Sequence, residues 1–250
     1  MSLEGQVALI TGGAKNLGAQ IALELAPLGV QLALHYNSPK TKEDALKLEN
    51  QLKKEFPSTK VVFYAANLTT AAAVDKLFAD VIKDFGKINI VVNTIGAVLK
   101  KPITAISEEE YDTLFAVNSK AAFFILKAGA INVQQGGKLI TIVTSLLAAF
   151  TGYYTSYAGS KAPVEHFTRG VSKELAEKRV SVNAIAPGPM DTPFFYAQET
   201  PEAVAYHKSN ALEGRLTDVK DIAPIVKFLC TDGQWITGQT IFANGGYTTR

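Results

Sequence analysis

The stretch VALITGGAKNLGAQIALEL, residues 7–25, decides the fold. An unbroken apolar run at 7–10 leads into a glycine-bearing turn, TGGAKNLG at 11–18, and then into a segment with helical periodicity at 19–25. A strand that passes through a short turn into a helix brings free N–H groups and the positive end of the helix dipole to the strand's carboxyl edge. That arrangement holds anions. Asn16 stands where a further glycine is expected. Glycine there supplies a positive φ, and Asn is among the few other residues that tolerate it, so the loop reads as modified rather than broken. Gly13 and Gly18 also fit the start of an NTPase P-loop, but Ala19 and Gln20 stand where Lys and Ser/Thr are required, and that reading fails.

Outward from this unit the same alternation repeats. Candidate strands lie at 7–11, 31–36, 61–66, 88–94, 138–144, 180–186 and 240–243, with helical patterns near 17–28, 41–55, 70–84, 108–134, 157–177 and 219–230. Ser107 with Glu110 predicts a capping box at the fourth helix. The strands are almost continuously apolar, as in a sheet covered on both faces. The chain therefore reads as one α/β domain over residues 1–250: a Rossmann-type, doubly wound, seven-stranded and mostly parallel sheet with helices on both faces. Only 187–218, rich in Pro, Thr and aromatics, interrupts the pattern, and 188–218 reads as a mobile substrate lid.

Composition narrows the classes. Lys and Arg number 25 against 23 Asp and Glu, a formal charge of +2, and no basic run marks a nucleic-acid binder. The first residues carry no signal-peptide pattern and no apolar run approaches membrane-spanning length, so a soluble, cytoplasmic protein without a membrane partner is expected. A single cysteine, Cys230, excludes an internal disulfide framework and reads as a core thiol. His35, His166 and His207 share no ligand spacing, so no metal site is expected. Trp235 reads as packing near the last strand.

A second stretch, SYAGSK at 156–161, carries the chemistry. Tyr157 and Lys161 are four apart, on one face of a helix. A free phenol, with a pKa of about 10, is a poor acid–base catalyst near neutrality, and a nearby ammonium stabilises the phenolate. Such a pair exchanges a proton with a carbonyl or alcohol oxygen. The same spacing at Tyr36 and Lys40 is a decoy, because Pro39 argues against a helix there. Tyr157 and Lys161 follow the 138–144 strand, which ends in Thr144-Ser145, and ligands in such folds bind at the carboxyl ends of strands.

With these motifs in order, the sequence resembles the short-chain dehydrogenase/reductase family along essentially its whole length. Residues 11–18 resemble the family's TGxxxGxG with the middle glycine replaced. Asn93-Thr94-Ile95-Gly96 resembles its NNAG, and Asn118, Ser145, Tyr157 and Lys161 match its Asn-Ser-Tyr-Lys tetrad. Pro187-Gly188 with Thr192 resembles its PG…T segment, and residues 236–239 and 244–246 resemble its ITGQ…DGG close. The resemblance implies that Tyr157 is the acid/base, that Lys161 lowers its pKa and binds the nicotinamide ribose, and that Ser145 polarises the carbonyl. It implies further that Asn118 breaks its helix and holds a water for proton relay. The Ser145–Tyr157 spacing is one residue shorter than the family's, so Thr144 is a second candidate for the hydroxyl. Pro163, inside the catalytic helix, is expected to kink or tighten its turn.

The implied cofactor groove takes Gly12, Lys15, Asn16, Leu17 and Gly18 from the first turn, Tyr36, Asn37 and Ser38 from the second strand's end, and Asn67 with Leu68 beside the adenine. Asn93, Gly96, Pro187, Gly188 and Thr192 complete it with Tyr157 and Lys161. NAD-binding chains of this fold place an acid about 20 residues past the loop. No carboxylate appears here before Glu43, whereas Asn37, Ser38 and the lysines at 15, 40 and 42 suit a 2′-phosphate, so NADP(H) is expected. The reading is an NADPH-dependent keto reductase acting on an apolar or aromatic ketone or secondary alcohol, its pocket lined from Met190, Phe194, Phe195, Tyr196, Tyr206, Tyr153 and Tyr154. A 3-oxoacyl-thioester reductase is the alternative, disfavoured because 128–132 lacks arginine, and an idle nucleotide-binding sensor is the alternative of another class. The resemblance also implies a homo-oligomer, a tetramer before a dimer, with 235–242 as a candidate interface.

Overall fold

The computed structural model describes residues 2–149 and 151–249. The elements run β1 (Val7–Thr11), α1 (Asn16–Leu25), β2 (Gln31–Tyr36), α2 (Lys42–Glu55), β3 (Val61–Ala65), α3 (Ala71–Phe85), β4 (Ile88–Asn93), α4 (Glu108–Phe115) and α5 (Ala121–Asn132). They continue β5 (Val133–Ile142), α6 (Thr155–Glu174), β6 (Ser181–Pro187), α7 (Pro193–Tyr196), α8 (Pro201–Ser209), α9 (Val219–Cys230) and β7 (Thr240–Ala243). The seven strands form one sheet in the order β3-β2-β1-β4-β5-β6-β7. Every pairing is parallel, as continuous apolar strands covered on both faces require. On one face Leu17, Ile21 and Leu25 of α1 pack with Ile222, Val226 and Leu229 of α9; on the other, Val74, Phe78 and Val81 of α3 pack with Ile125 and Leu126 of α5. The chain winds outward in opposite senses from β1, which pairs with both β2 and β4, and this opens a crevice above the carboxyl ends of those strands.

Local chemistry sets most boundaries. The Ser107–Glu110 capping box forms, with the Ser107 hydroxyl accepting from the Glu110 amide and the Glu110 carboxylate accepting from the Ser107 amide. Thr70 caps α3, and Gly86, at φ +78°, ends it.

The departures from the sequence reading are informative. The helix expected over 108–134 is broken by a π-turn, Ala116–Lys120, centred on Asn118. Joined through that turn, Glu108–Asn132 is long and apolar enough to cross a membrane, contrary to the reading of the bare sequence. Ala122, Ile125 and Leu126 of this stretch are buried in the protein core, whereas Phe123 and Ile131 are exposed. Strand β5 starts at Val133, ahead of the expected 138, because Gly136 at φ +76° and a register shift opposite 88–90 let the chain pair early. Helix α6 runs unbroken through Pro163. The irregular stretch contains α7 and α8, the latter capped by Thr200 with Pro201 in its first turn. Trp235 does not pack: it stands 97% exposed.

Candidate active site

The first turn folds back onto the sheet. Gly12 has φ +74°, and a Cβ there would lie 2.6 Å from the Thr94 hydroxyl. A Cβ on Gly18 would lie 2.2 Å from the Gly12 carbonyl oxygen, so only glycine brings the start of α1 this close. Asn16 takes φ +48°, the left-handed conformation expected of it. The first turn of α1 holds no acidic residue, leaving its N–H groups to face a groove of about 440 Å³. One end of the groove is walled by Lys15, Tyr36, Asn37, Ser38 and Thr41, its side by Asn67 and Leu68, and its other end by Gly96, Tyr157, Lys161 and Thr192. Among the described residues no carboxylate lines it. Lys15 is exposed there and forms no ion pair among the described residues.

Three members of the expected set lie elsewhere. Asn93 is turned into the fold, its carbonyl oxygen accepting from the Thr11 hydroxyl at 2.8 Å and the Ile95 amide at 3.1 Å. It braces the ends of β1 and β4 rather than lining the groove. Pro187 and Gly188 line the adjoining cavity. Conversely, His35 lines the groove unforeseen. Its Nδ1 accepts from the Gly12 amide at 3.3 Å, which puts the ring proton on Nε2, donated to the Ala66 carbonyl at 2.8 Å. Burial holds its pKa below the ordinary histidine value, so the neutral ring ties together the ends of β1, β2 and β3. No motif marks this; it follows from the register that sets His35 beside Thr11.

The groove ends at the start of α6, where Tyr157 and Lys161 face one side. Lys161 is 4% exposed, and its ammonium donates to the Ile95 and Ile142 carbonyls, both at 3.1 Å, at the ends of β4 and β5. A Cβ on Gly96 would sit 3.1 Å from that nitrogen, so glycine keeps the passage open. Asn118 clamps the same loop: it accepts from the Ala97 amide at 2.9 Å and donates to the Ala97 carbonyl at 2.8 Å and the Ser160 hydroxyl at 2.9 Å. Those bonds occupy its side chain.

The hydroxyl that acts on the Tyr157 phenol belongs to Thr144, which draws the phenol's pKa down and lines the adjoining cavity. The side chain of Ser145 points away, donating to the Ala186 carbonyl at 3.1 Å and accepting from the Asn244 amide at 3.1 Å. Adjacent residues of an extended chain face opposite sides, and Thr144 is still extended (φ −154°, ψ 146°) where Ser145 starts a 3₁₀ turn. Burial pushes the Tyr157 phenol up to about 12, with the Thr144 hydroxyl pulling the other way, and pushes Lys161 down to about 8. The expected lowering of the phenol is thus outweighed by desolvation.

Tyr157 and Thr144 also border a second cavity, of about 100 Å³, walled by Val98, Leu146, Met190, Phe194, Phe195 and Tyr154. Of the aromatics expected there, Tyr153, Tyr196 and Tyr206 are exposed outside it. One wall is polar. Glu199 is ion-paired to Lys100 at 2.6 Å and accepts the Tyr154 phenol, and His207 Nδ1 lies 2.8 Å from the Tyr247 hydroxyl. Cys230 is buried elsewhere, in the core.

Residues 12–248 match a family model described as enoyl-(acyl carrier protein) reductase. A short-chain type dehydrogenase/reductase from Picea abies is 36% identical over 98% of this chain and 93% of its own. An NADPH-dependent aldehyde reductase from Arabidopsis thaliana is 34% identical over 98% and 95% respectively. The crystal structure of a dehydrogenase from Burkholderia cenocepacia with bound NADP is 53% identical, with a TM-score of 0.96 over 100% of this chain and 96% of that one.

Proposed function

The chain belongs to the short-chain dehydrogenase/reductase family, and on that premise we propose that it is an NADPH-dependent carbonyl reductase. The carrying observation is the meeting of the two cavities at Tyr157, with Lys161 behind it and Thr144 lining the same cavity. NADP(H) fits the groove. The pyrophosphate belongs at the start of α1 against Gly12, Asn16, Leu17 and Gly18, the 2′-phosphate near Lys15, Asn37 and Ser38, and the adenine near Asn67 and Leu68. The absence of a lining carboxylate supports the phosphate, which an acid would repel. The nicotinamide ribose then falls to Lys161 and Tyr157, and Thr192 and the Pro187-Gly188 corner border its ring.

When bound, the cofactor supplies a hydride to the carbonyl carbon. The residues supply the rest. The substrate oxygen sits between the Thr144 hydroxyl and the Tyr157 phenol, which polarise and position it. With its pKa raised to about 12, Tyr157 keeps its proton at neutral pH, the form needed to donate to a carbonyl. Lys161 then steadies the phenolate left behind, and Asn118 holds the 95–97 loop against which Lys161 is braced. The apolar cavity suits an apolar or aromatic ketone. Segment 188–218 supplies much of its wall and acts as a lid, and exposed Trp235 suits an interface within a homo-oligomer.

A cofactor-absorbance screen over ketones, β-keto esters and acyl thioesters, with both reduced cofactors, tests this reading. Tyr157→Phe should lose more than about tenfold in kcat with NADPH affinity retained. Retained turnover in that variant removes the acid assignment. Cofactor binding without turnover on any class would instead support the idle sensor.

A further inference from the structure

In the polar wall of the cavity, His207 and Glu199 face each other without a direct hydrogen bond. Glu199 is 1% exposed by its side chain, with Oε2 on the Lys100 ammonium at 2.6 Å and Oε1 accepting the Tyr154 phenol. His207, 8% exposed on α8, is caged by Phe195, Tyr206 and Tyr247, with ring centroids 5.5, 5.8 and 5.5 Å away. Burial keeps the His207 ring neutral, and the Glu199 carboxylate facing Nε2 favours the tautomer with its proton there, so Nδ1 accepts from the Tyr247 hydroxyl. The Nε2–H has no hydrogen-bond partner among the described residues. Its nearest acceptor, Glu199 Oε1, is 3.8 Å away, too far for a direct bond. Oε1 has lone-pair capacity for a second donor. The wall therefore offers a donor and an acceptor side by side, separated by a gap that one oxygen closes with two bonds of ordinary length. Only a group that both accepts and donates satisfies it.

We propose that His207 and Glu199 form a hydroxyl subsite, and that the preferred substrates are small ketones bearing an alcohol or phenol hydroxyl beyond the reacting carbonyl. The inference rests on reading this cavity as the substrate pocket. Tyr154 lies between the subsite and the reacting end, its ring 6.0 Å from that of Tyr157. The cavity of about 100 Å³ is smaller than the roughly 150 Å³ that holds a benzene, which limits the enclosed part of the substrate to a short chain or part of a ring.

The test compares three short aliphatic ketones of equal chain length: the one with a terminal hydroxyl, its methyl ether and the plain alkyl ketone. Their dissociation constants on the enzyme–NADP⁺ complex are measured by calorimetry. The hydroxyl compound should bind about tenfold more tightly than the other two, the equivalent of one to two net hydrogen bonds. His207→Phe should reduce that ratio to about one. Equal binding of all three to the wild type overturns the subsite, even if the variant does not fold, and so does an ether that matches the hydroxyl compound. Turnover with NADPH, followed separately, reports on the reductase reading: tight selective binding without reduction would refute that reading and leave the subsite standing.

Discussion

Replacing Thr144 and Ser145 singly by Ala separates chemistry from architecture at neighbouring positions. The Thr144 hydroxyl lines the cavity with the Tyr157 phenol, lowers that phenol's pKa, and accepts the Leu146 amide at 3.2 Å. Removing it takes one preorganised donor from the oxygen on which charge develops, a loss of about 10²–10³ in kcat, or roughly 3–4 kcal/mol. The uncapped Leu146 amide adds about 1 kcal/mol of lost stability. Thr144→Ser keeps the oxygen and should stay within about tenfold of wild type. Ser145 is buried, and its hydroxyl joins the Ala186 carbonyl at the end of β6 to Asn244 just past β7. Ser145→Ala should therefore cost about 1–3 kcal/mol of stability, while kcat at a temperature where the variant is folded changes by only a few-fold. The assay is NADPH absorbance at saturating ketone, with thermal unfolding on the same preparations. If Ser145→Ala loses two orders of magnitude while Thr144→Ala stays within about threefold, the assignment of the hydroxyl is wrong.

Lys15→Ala should raise the NADPH Michaelis constant several-fold more than the NADH one, since Lys15 borders a groove end free of carboxylates; equal losses, or a wild type preferring NADH, refute the 2′-phosphate site. Asn16→Gly should leave cofactor affinity within about twofold, because φ +48° is accessible to glycine; a large loss, read by NADPH fluorescence, would show that the side chain itself is needed. His35 carries a pH dependence. Its folded pKa lies below its unfolded value of 6.5, so the unfolded chain takes up a proton that the folded chain refuses, and stability falls as pH drops below about 6.5. The lowered carboxylates, such as Glu110 and Asp221, titrate below that window, while His207 shares it. His35→Gln should accordingly flatten the melting temperature between about pH 7 and 5.5, and an unchanged slope would remove His35 as its source.

What the sequence made legible was what is local. The β1–turn–α1 unit, the capping box at Ser107 and the Tyr157–Lys161 face each need only a few neighbouring residues, and each lies where spacing puts it. Which of Thr144 and Ser145 meets the phenol is different: it turns on how β5 exits the sheet, and one residue of phase sends a side chain to the opposite side. Asn93 resembles a motif residue yet braces Thr11, a contact 82 positions away that exists only once β1 and β4 pair. His35 acquires its part in the groove the same way, through the pairing of β2 with β1 and β3.

If the cavity beside Tyr157 takes the substrate as proposed, the same distinction divides chemistry from selectivity. Thr144, Tyr157 and Lys161 stand at strand ends and on a long helix, elements buried on both sides of the sheet, which hold reacting groups to the tolerance that proton transfer demands. Glu199 and His207 lie in the segment carrying the short helices α7 and α8, tied across to Lys100 after β4 and to Tyr247 after β7. Under the proposed reading, a change in that segment alters which hydroxyl or apolar group the cavity accepts. One contact bridges the two regions. Tyr154, at the entry to α6, gives its phenol to Glu199 while its ring lies 6.0 Å from Tyr157, so a substrate that completes the Glu199–His207 gap also steadies the first turn of the helix that carries the proton donor. Binding energy gained at the lid is in this way delivered to the reacting end, and a ketone lacking the hydroxyl should lose kcat as well as affinity.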